Sequence, residues 1–304
     1  MEGIPVIFTR NKVGIALGGG GARGAYQIGI LKALEEEKLL RQIRHISGTS
    51  IGAINTLMIM AKVPNERMIE IWQKISNKDI YGIVPDRLKL DRLGLYSIKD
   101  LFETLSKEVS LSEIRKSRMQ GYATAAKLKK DSLLEQVMIH RMEKEVFHLN
   151  ETDDPHKAVM ASASIPVLFG STTIGENHYV DGGIIDNCPI QPLLDAGCNI
   201  IISVSIDGHF HAKKYEEHNI MLVNLETKYL FHMIPYDILD FKPDAVTSKA
   251  EYGYRMAKLM LQKLRNEGYL TKRNYWKVPK SHYMIEIDKE EETKLKDEVK
   301  SIWT

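Results

Sequence analysis

Three short stretches of this chain carry the groups that acyl-transfer chemistry uses. Gly48-Thr49-Ser50-Ile51-Gly52 sets a serine between glycines, the G-x-S-x-G spacing that exposes a hydroxyl on a sharp strand-to-helix turn. Gly18-Gly19-Gly20-Gly21-Ala22-Arg23-Gly24 is a run whose amides, unencumbered by Cβ atoms, can turn inward together toward a phosphate or a tetrahedral oxyanion. Asp181-Gly182-Gly183 offers a carboxylate on a compact backbone, which reads either as a base brought close to its target or as an Asp-Gly turn between strands.

The other stretches also have alternatives. Serine is a favoured helix N-cap, so Ser50 has a second reading as an ordinary cap. Gly19-x-Gly21-x-x-Gly24 satisfies the dinucleotide fingerprint, but that site needs an acidic residue about 20 positions further on, at the end of the second strand. Here that strand ends in Gly48-Thr49-Ser50. A phosphate-cradling P-loop fails as well, because Ala25-Tyr26 follow Gly24 where Lys and Ser/Thr are required. A serine nucleophile needs a base, and an α/β-hydrolase order would admit Ser50, Asp181 and then His209 or His211. That fold builds several strands before its nucleophile, whereas one strand and one helix precede Ser50. His178, three residues before Asp181, reads as a surface histidine.

The elements that must position these groups follow from hydrophobic pattern. Val13 to Leu17 is a short β-branched run ended by the glycines, and Ile28, Leu31 and Leu34 then recur on one helical face. Ile43 to Ser47 repeats the strand, and Ile54, Leu57, Met58 and Ala61 the helix. Two βα units in succession predict a mostly parallel sheet covered by helices. Pro64-Asn65 opens a helix carrying Met68, Ile69, Ile71 and Trp72, and Ser97 with Asp100 resembles a capping box for another. Strands are expected at 121–128, 146–149, 200–206 and 221–225, helices at 156–163 and 248–265, and a charged amphipathic terminal helix at 289–302. Nothing resembling a linker or a repeat divides the chain, so one domain over 1–304 is expected, with a motif-bearing core at 12–206 and a C-terminal α/β extension at 207–304.

Composition narrows the function classes. The 304 residues are 43% apolar and 27% charged, with 42 Lys+Arg against 40 Asp+Glu and a formal charge of +2. This excludes a disordered chain, a disulfide scaffold and the strongly basic face of a nucleic-acid binder. The two cysteines, Cys188 and Cys198, have no metal-ligand spacing and read as buried thiols. No metal, no calcium loop and no organic cofactor is expected. The apolar run after Arg10 and Lys12 is too short for a signal h-region, and Ile51 to Ala61 too short for a span. The expectation is a cytoplasmic protein, at most peripheral to the inner face of the membrane.

Taken together, Gly19 to Gly24, Gly48 to Gly52 and Asp181-Gly182-Gly183, in that order, resemble the patatin-like phospholipase family. Ala161-Ser162-Ala163-Ser164-Ile165-Pro166 and Asp186-Asn187-Cys188-Pro189 resemble that family's surroundings. The resemblance implies a three-layer α/β/α fold and a Ser-Asp dyad without histidine, with Ser50 as nucleophile and Asp181 as its direct partner. It further implies an oxyanion hole from the amides of Gly19, Gly20 and Gly21, a supporting role for Gly24, Gly48, Gly52, Gly182 and Gly183, and an Arg23 that orients the loop or attracts a lipid phosphate. The implied substrate is a phospholipid, a lysophospholipid or a related lipid ester. An acyltransferase using the same acyl-enzyme and a catalytically silent lipid-binding protein are the alternatives. Ile80 to Tyr96 and Tyr229 to Phe241 gather apolar and basic residues, each reading as connecting elements or as a transient membrane patch. Oligomeric state leaves no mark on the sequence.

Overall fold

A computed structural model of the chain describes residues 11–74, 99–166, 169–227, 229–230 and 241–303. The first strand, β1 (Val13–Leu17), is buried along its whole length, as a strand covered on both faces must be. After the glycine loop come α1 (Gly24–Glu36), β2 (Ile43–Thr49) and α2 (Ile51–Met60). All ten residues of α2 are buried, consistent with a sequence that is apolar nearly all round. The chain continues through α3 (Asn65–Lys74), α4 (Lys99–Glu108) and α5 (Leu111–Lys116), the last opened by a reciprocal capping box between Ser110 and Glu113.

Then follow β3 (Gln120–Leu128), β4 (Glu143–His148), α6 (Pro155–Ser162), β5 (Thr172–Ile174), β6 (Asn177–Asp181) and α7 (Gln191–Asp195). Strands β7 (Ile200–Val204) and β8 (Met221–Asn224), helix α8 (Pro243–Asn266), strand β9 (Tyr283–Glu286) and helix α9 (Lys289–Trp303) complete it. One sheet runs β5-β6-β3-β2-β1-β7-β8-β9, with β4 beside β3. The pairs β3–β2, β2–β1, β1–β7, β7–β8 and β8–β9 are parallel, while β4 and the β5–β6 hairpin run against their neighbours. The mostly parallel sheet expected from the sequence is therefore present, and β8 and β9, from beyond residue 206, continue it.

The two faces of the sheet are unequal. Ile15, Leu17, Ile202 and Val204 face a large core shared with α1, α2, α3, α6 and α8. Ala16, Ile201 and Leu222 face a smaller cluster closed by Leu193 of α7, with Phe210 and Tyr215 against it. The α/β/α sandwich is thus thick on one side and thin on the other. Helix α9 lies on α8 through buried Leu295 and Val299. It is also fastened by Glu292, which accepts from Thr227 Oγ1 at 2.6 Å and Tyr252 OH at 3.1 Å. Among the described residues no helix is long and apolar enough to cross a membrane. The stretch Ile80 to Tyr96 lies outside the described residues, as do positions 231–240 of the second suspected patch.

Candidate active site

A head-on meeting of two strands builds the site. Strand β4 pairs with residues 122–127 of β3, so every other partner of that stretch must lie on β3's opposite edge. Strand β2 occupies the first half of that edge, ending with Thr49 opposite Thr124, and antiparallel β6 occupies the second half, with Asp181 opposite Ala125. The two strands run toward each other and stop at adjacent positions. Ser50, just past the end of β2, and Asp181, the last residue of β6, are thereby brought together across 131 residues of sequence.

Ser50 has φ 55° and ψ −123°, and its side chain makes no capping bond to α2. The cap reading of the sequence is thus not the one the fold uses. A serine held at positive φ is strained by about 1–3 kcal/mol and persists only where the surroundings enforce it. Here its amide donates to Ser162 Oγ at 2.9 Å, and that hydroxyl donates to the Thr124 carbonyl at 2.5 Å. Gly48 and Gly52 leave no room for a Cβ, the first against the Gly52 carbonyl and the second against the Leu17 carbonyl. The turn is therefore pinned from both sides, and Ser50 is 7% exposed.

Asp181 is equally buried, and burial pushes its carboxyl up from 3.8 to about 6, against hydrogen bonds from Ser50 and the Gly183 amide that favour the charged form. The Gly183 N–H donates to Oδ1 at 2.7 Å, and the Asp181 amide donates to the Ser164 carbonyl at 2.8 Å. Gly182 sits so close to the Thr124 carbonyl that a Cβ has no space there. Among the described residues no histidine is hydrogen-bonded to Asp181. His178 instead bonds Thr173 Oγ1 and lies 3.7 Å from Asp131.

The glycine loop lies against the serine. A Cβ on Gly19 would stand 3.0 Å from Ser50 Cβ and would collide with Asn187 Oδ1. Gly21 adopts φ 56°, which glycine takes without strain. The Gly19 amide is engaged, donating to the Asn187 carbonyl at 3.0 Å, and Asn187 Nδ2 returns a bond to the Gly19 carbonyl at 3.1 Å. Gly20 and Gly21 open the short helical turn Gly21–Arg23, where amides have no intrahelical acceptor. Among the described residues neither donates to a backbone carbonyl.

Asn187, from the Asp186-Asn187-Cys188-Pro189 stretch, and several residues that pattern reading did not single out hold this loop. Asn187 also donates to Asp207 Oδ2 at 2.6 Å, and Ser205 Oγ donates to Asp207 Oδ1 at 2.7 Å. Behind the loop, Gln27 Nε2 donates to the Gly18 carbonyl at 2.7 Å, Asn55 Nδ2 to Gln27 Oε1 at 2.8 Å, and Trp72 Nε1 to Asn55 Oδ1 at 3.1 Å. Arg23 is only 1% exposed and donates to the Ile206 carbonyl at 3.3 Å. It ties the loop to the chain beyond β7, and its burial keeps it from meeting a phosphate in solvent.

The patatin-like phospholipase family model matches residues 15–194. The probable lipid hydrolase 463L of Invertebrate iridescent virus 6 is 27% identical over 184 residues, which is 58% of this chain and 61% of that protein. Lysophospholipase NTE1 of Kluyveromyces lactis is 26% identical over 201 residues, 64% of this chain but 12% of the much longer yeast protein. Among solved structures, VipD from Legionella pneumophila aligns with a TM-score of 0.43 at 16% identity, covering 96% of this chain and 75% of that one. With the family match spanning the glycine loop, the serine turn and the Asp181-Gly182-Gly183 motif alike, the chain belongs to the patatin-like phospholipase family.

Proposed function

We propose that the protein is a serine hydrolase of lipid carboxylic esters, working through a Ser50–Asp181 dyad. The observation that carries this reading is a serine at φ 55° that caps nothing, brought by strand register beside a buried carboxylate raised to about 6. A base whose pKa lies near the working pH is ionised and still has driving force to take a proton.

Ser50 Oγ attacks the ester carbonyl as its proton passes to Asp181, and the tetrahedral oxyanion is held by the amides of Gly20 and Gly21. Gly19, its own amide engaged, contributes the close approach of the loop. Collapse breaks the ester bond, and Asp181 returns the proton to the departing alcohol oxygen. Water then attacks the acyl-serine, giving its proton to Asp181, and the second collapse releases the carboxylic acid and restores Ser50. The lipid nature of the ester rests on family membership and on the relatives' names as lipid hydrolase and lysophospholipase.

Hydrolysis of p-nitrophenyl esters from acetyl to palmitoyl by the wild type, Ser50→Ala and Asp181→Asn tests this. Both variants, shown to be folded, are expected to lose activity, and Ser50→Ala is expected to lose labelling by a fluorophosphonate. Undiminished turnover in Ser50→Ala overturns the assignment.

A further inference from the structure

Residues 129–142 join β3 to β4, and burial in this segment is inverted. Glu135 and Gln136 are 5% and 1% exposed, whereas Leu133, Leu134, Val137 and Ile139 are 42%, 61%, 58% and 53% exposed. The inversion is held by specific bonds. Glu135 pairs with Arg141 at 2.8 Å, and its amide donates to Ser132 Oγ at 3.2 Å. Asp131 accepts from Ser171 Oγ at 2.6 Å and lies 3.7 Å from His178 of β6. The acids of the segment are thus engaged with neighbours while its apolar side chains face solvent.

Single exposed apolar residues are ordinary, but four within seven positions form a patch of the kind that marks an interaction surface. Its place in the fold and its charge indicate the partner. Strand β3 continues through Ala126–Leu128 beyond Ala125, which stands opposite Asp181, a rise of about 10 Å at roughly 3.3 Å per residue. The patch therefore stands at the end of the sheet where the serine lies. Lys129 and Lys130 adjoin it, both exposed, and among the described residues neither has a carboxylate partner. Apolar side chains beside unneutralised ammonium groups match the acyl boundary and the phosphates of an anionic bilayer.

We propose that residues 129–142 form the surface by which the protein docks on anionic phospholipid, bringing the end of the sheet that bears Ser50 to the bilayer. This inference rests on the lipid-ester reading above. The test uses full-length Ser50→Ala protein, which leaves the lipid undigested, sedimented with vesicles of phosphatidylcholine alone or of equal parts phosphatidylcholine and phosphatidylserine. Binding is expected to favour the phosphatidylserine vesicles and to weaken with added salt. Adding Leu134→Ser, Val137→Ser and Ile139→Ser together is expected to lower it at least about tenfold. With Ser50 restored, the same triple variant should hydrolyse p-nitrophenyl butyrate at the wild-type rate. The proposal is overturned if the unaltered patch does not sediment with vesicles or if the triple variant sediments equally well. It is also overturned if light scattering shows that the patch instead joins two copies of the chain. Loss of the soluble-ester activity in the wild type would count against the catalytic reading and leave the sedimentation result to stand by itself.

Discussion

Replacing Asp181 by Asn should abolish catalysis and make the protein more stable, by an amount that depends on pH. Burial raises the Asp181 carboxyl from 3.8 to about 6, so between these values the folded state holds a proton that the unfolded chain has released. Stability consequently falls as pH rises through this window, and above pH 6 the protein keeps a buried carboxylate that unfolding would hydrate. At about 1.36 kcal/mol per pKa unit this amounts to about 3 kcal/mol. Asparagine is neutral at every pH, retains an oxygen for the Gly183 amide, and escapes this penalty. An unfolding entropy of roughly 2.1 cal/mol/K per residue, over 304 residues, makes 3 kcal/mol worth about 5 °C in melting temperature. Thermal melts of wild type and Asp181→Asn by circular dichroism should therefore differ by about 5 °C at pH 8, by about half that at pH 5, and by very little at pH 4. Equal melting temperatures at pH 8, or a gap that does not change with pH, would refute the claim that the folded protein keeps Asp181 ionised against its surroundings. Ester hydrolysis by the wild type should rise with pH through about 6 and level off above it, since Asp181 as the proposed base works only when deprotonated.

Three substitutions probe the rest of the site. Ser50→Gly removes the nucleophile and also the strain of φ 55°, so activity should vanish while urea denaturation shows a gain of about 1 kcal/mol. Gly19→Ala introduces a methyl group that collides with Asn187 Oδ1 and crowds Ser50 Cβ, and is expected to lower kcat on p-nitrophenyl butyrate by about 10²-fold or more, the size of losing an oxyanion donor. Thr124→Val should leave activity unchanged and raise stability by about 1 kcal/mol, because Thr124 Oγ1 is buried without a hydrogen-bond partner among the described residues and the site uses only the Thr124 carbonyl. A marked loss of activity in this last variant would assign the hydroxyl a role that the geometry does not give it.

What was legible in the sequence was what is encoded locally. The strand-glycine-helix units containing Gly18 to Gly24 and Gly48 to Gly52 carry their own apolar periodicity, and both form as expected. The capping box at Ser110 and Glu113 has the same local signal, Ser-x-x-Glu. Strand β6 has no such signal, because five residues with two polar ones at the start give too little alternation to announce a strand. Its direction could not be read at all, since antiparallel pairing with β3 is a property of the partner. Arg23 illustrates the same limit, for its charge suggests the surface while its place under the loop is fully buried. Asp207, Gln27 and Asn55 act across separations of 9 to 28 residues, and a polar residue with a distant partner has no local signature.

The meeting of β2 and β6 on one edge of β3 supports the proposal that a carboxylate serves here without a histidine between it and the serine. An imidazole bridges the gap in sites where serine and acid stand on separate loops. In this fold the register of one strand sets the gap, with Thr124 opposite Thr49 and Ala125 opposite Asp181, and adjacent positions on a strand are about 3.3 Å apart. Nothing the size of an imidazole is needed, and Gly182, against the Thr124 carbonyl, shows that the backbone itself fills the junction. In the proposed dyad the carboxylate meets the hydroxyl directly, and the basicity that an imidazole would bring must come from burial. In that proposal the rise of Asp181 to about 6 supplies this basicity, and the short register and the raised pKa are two consequences of one arrangement of strands.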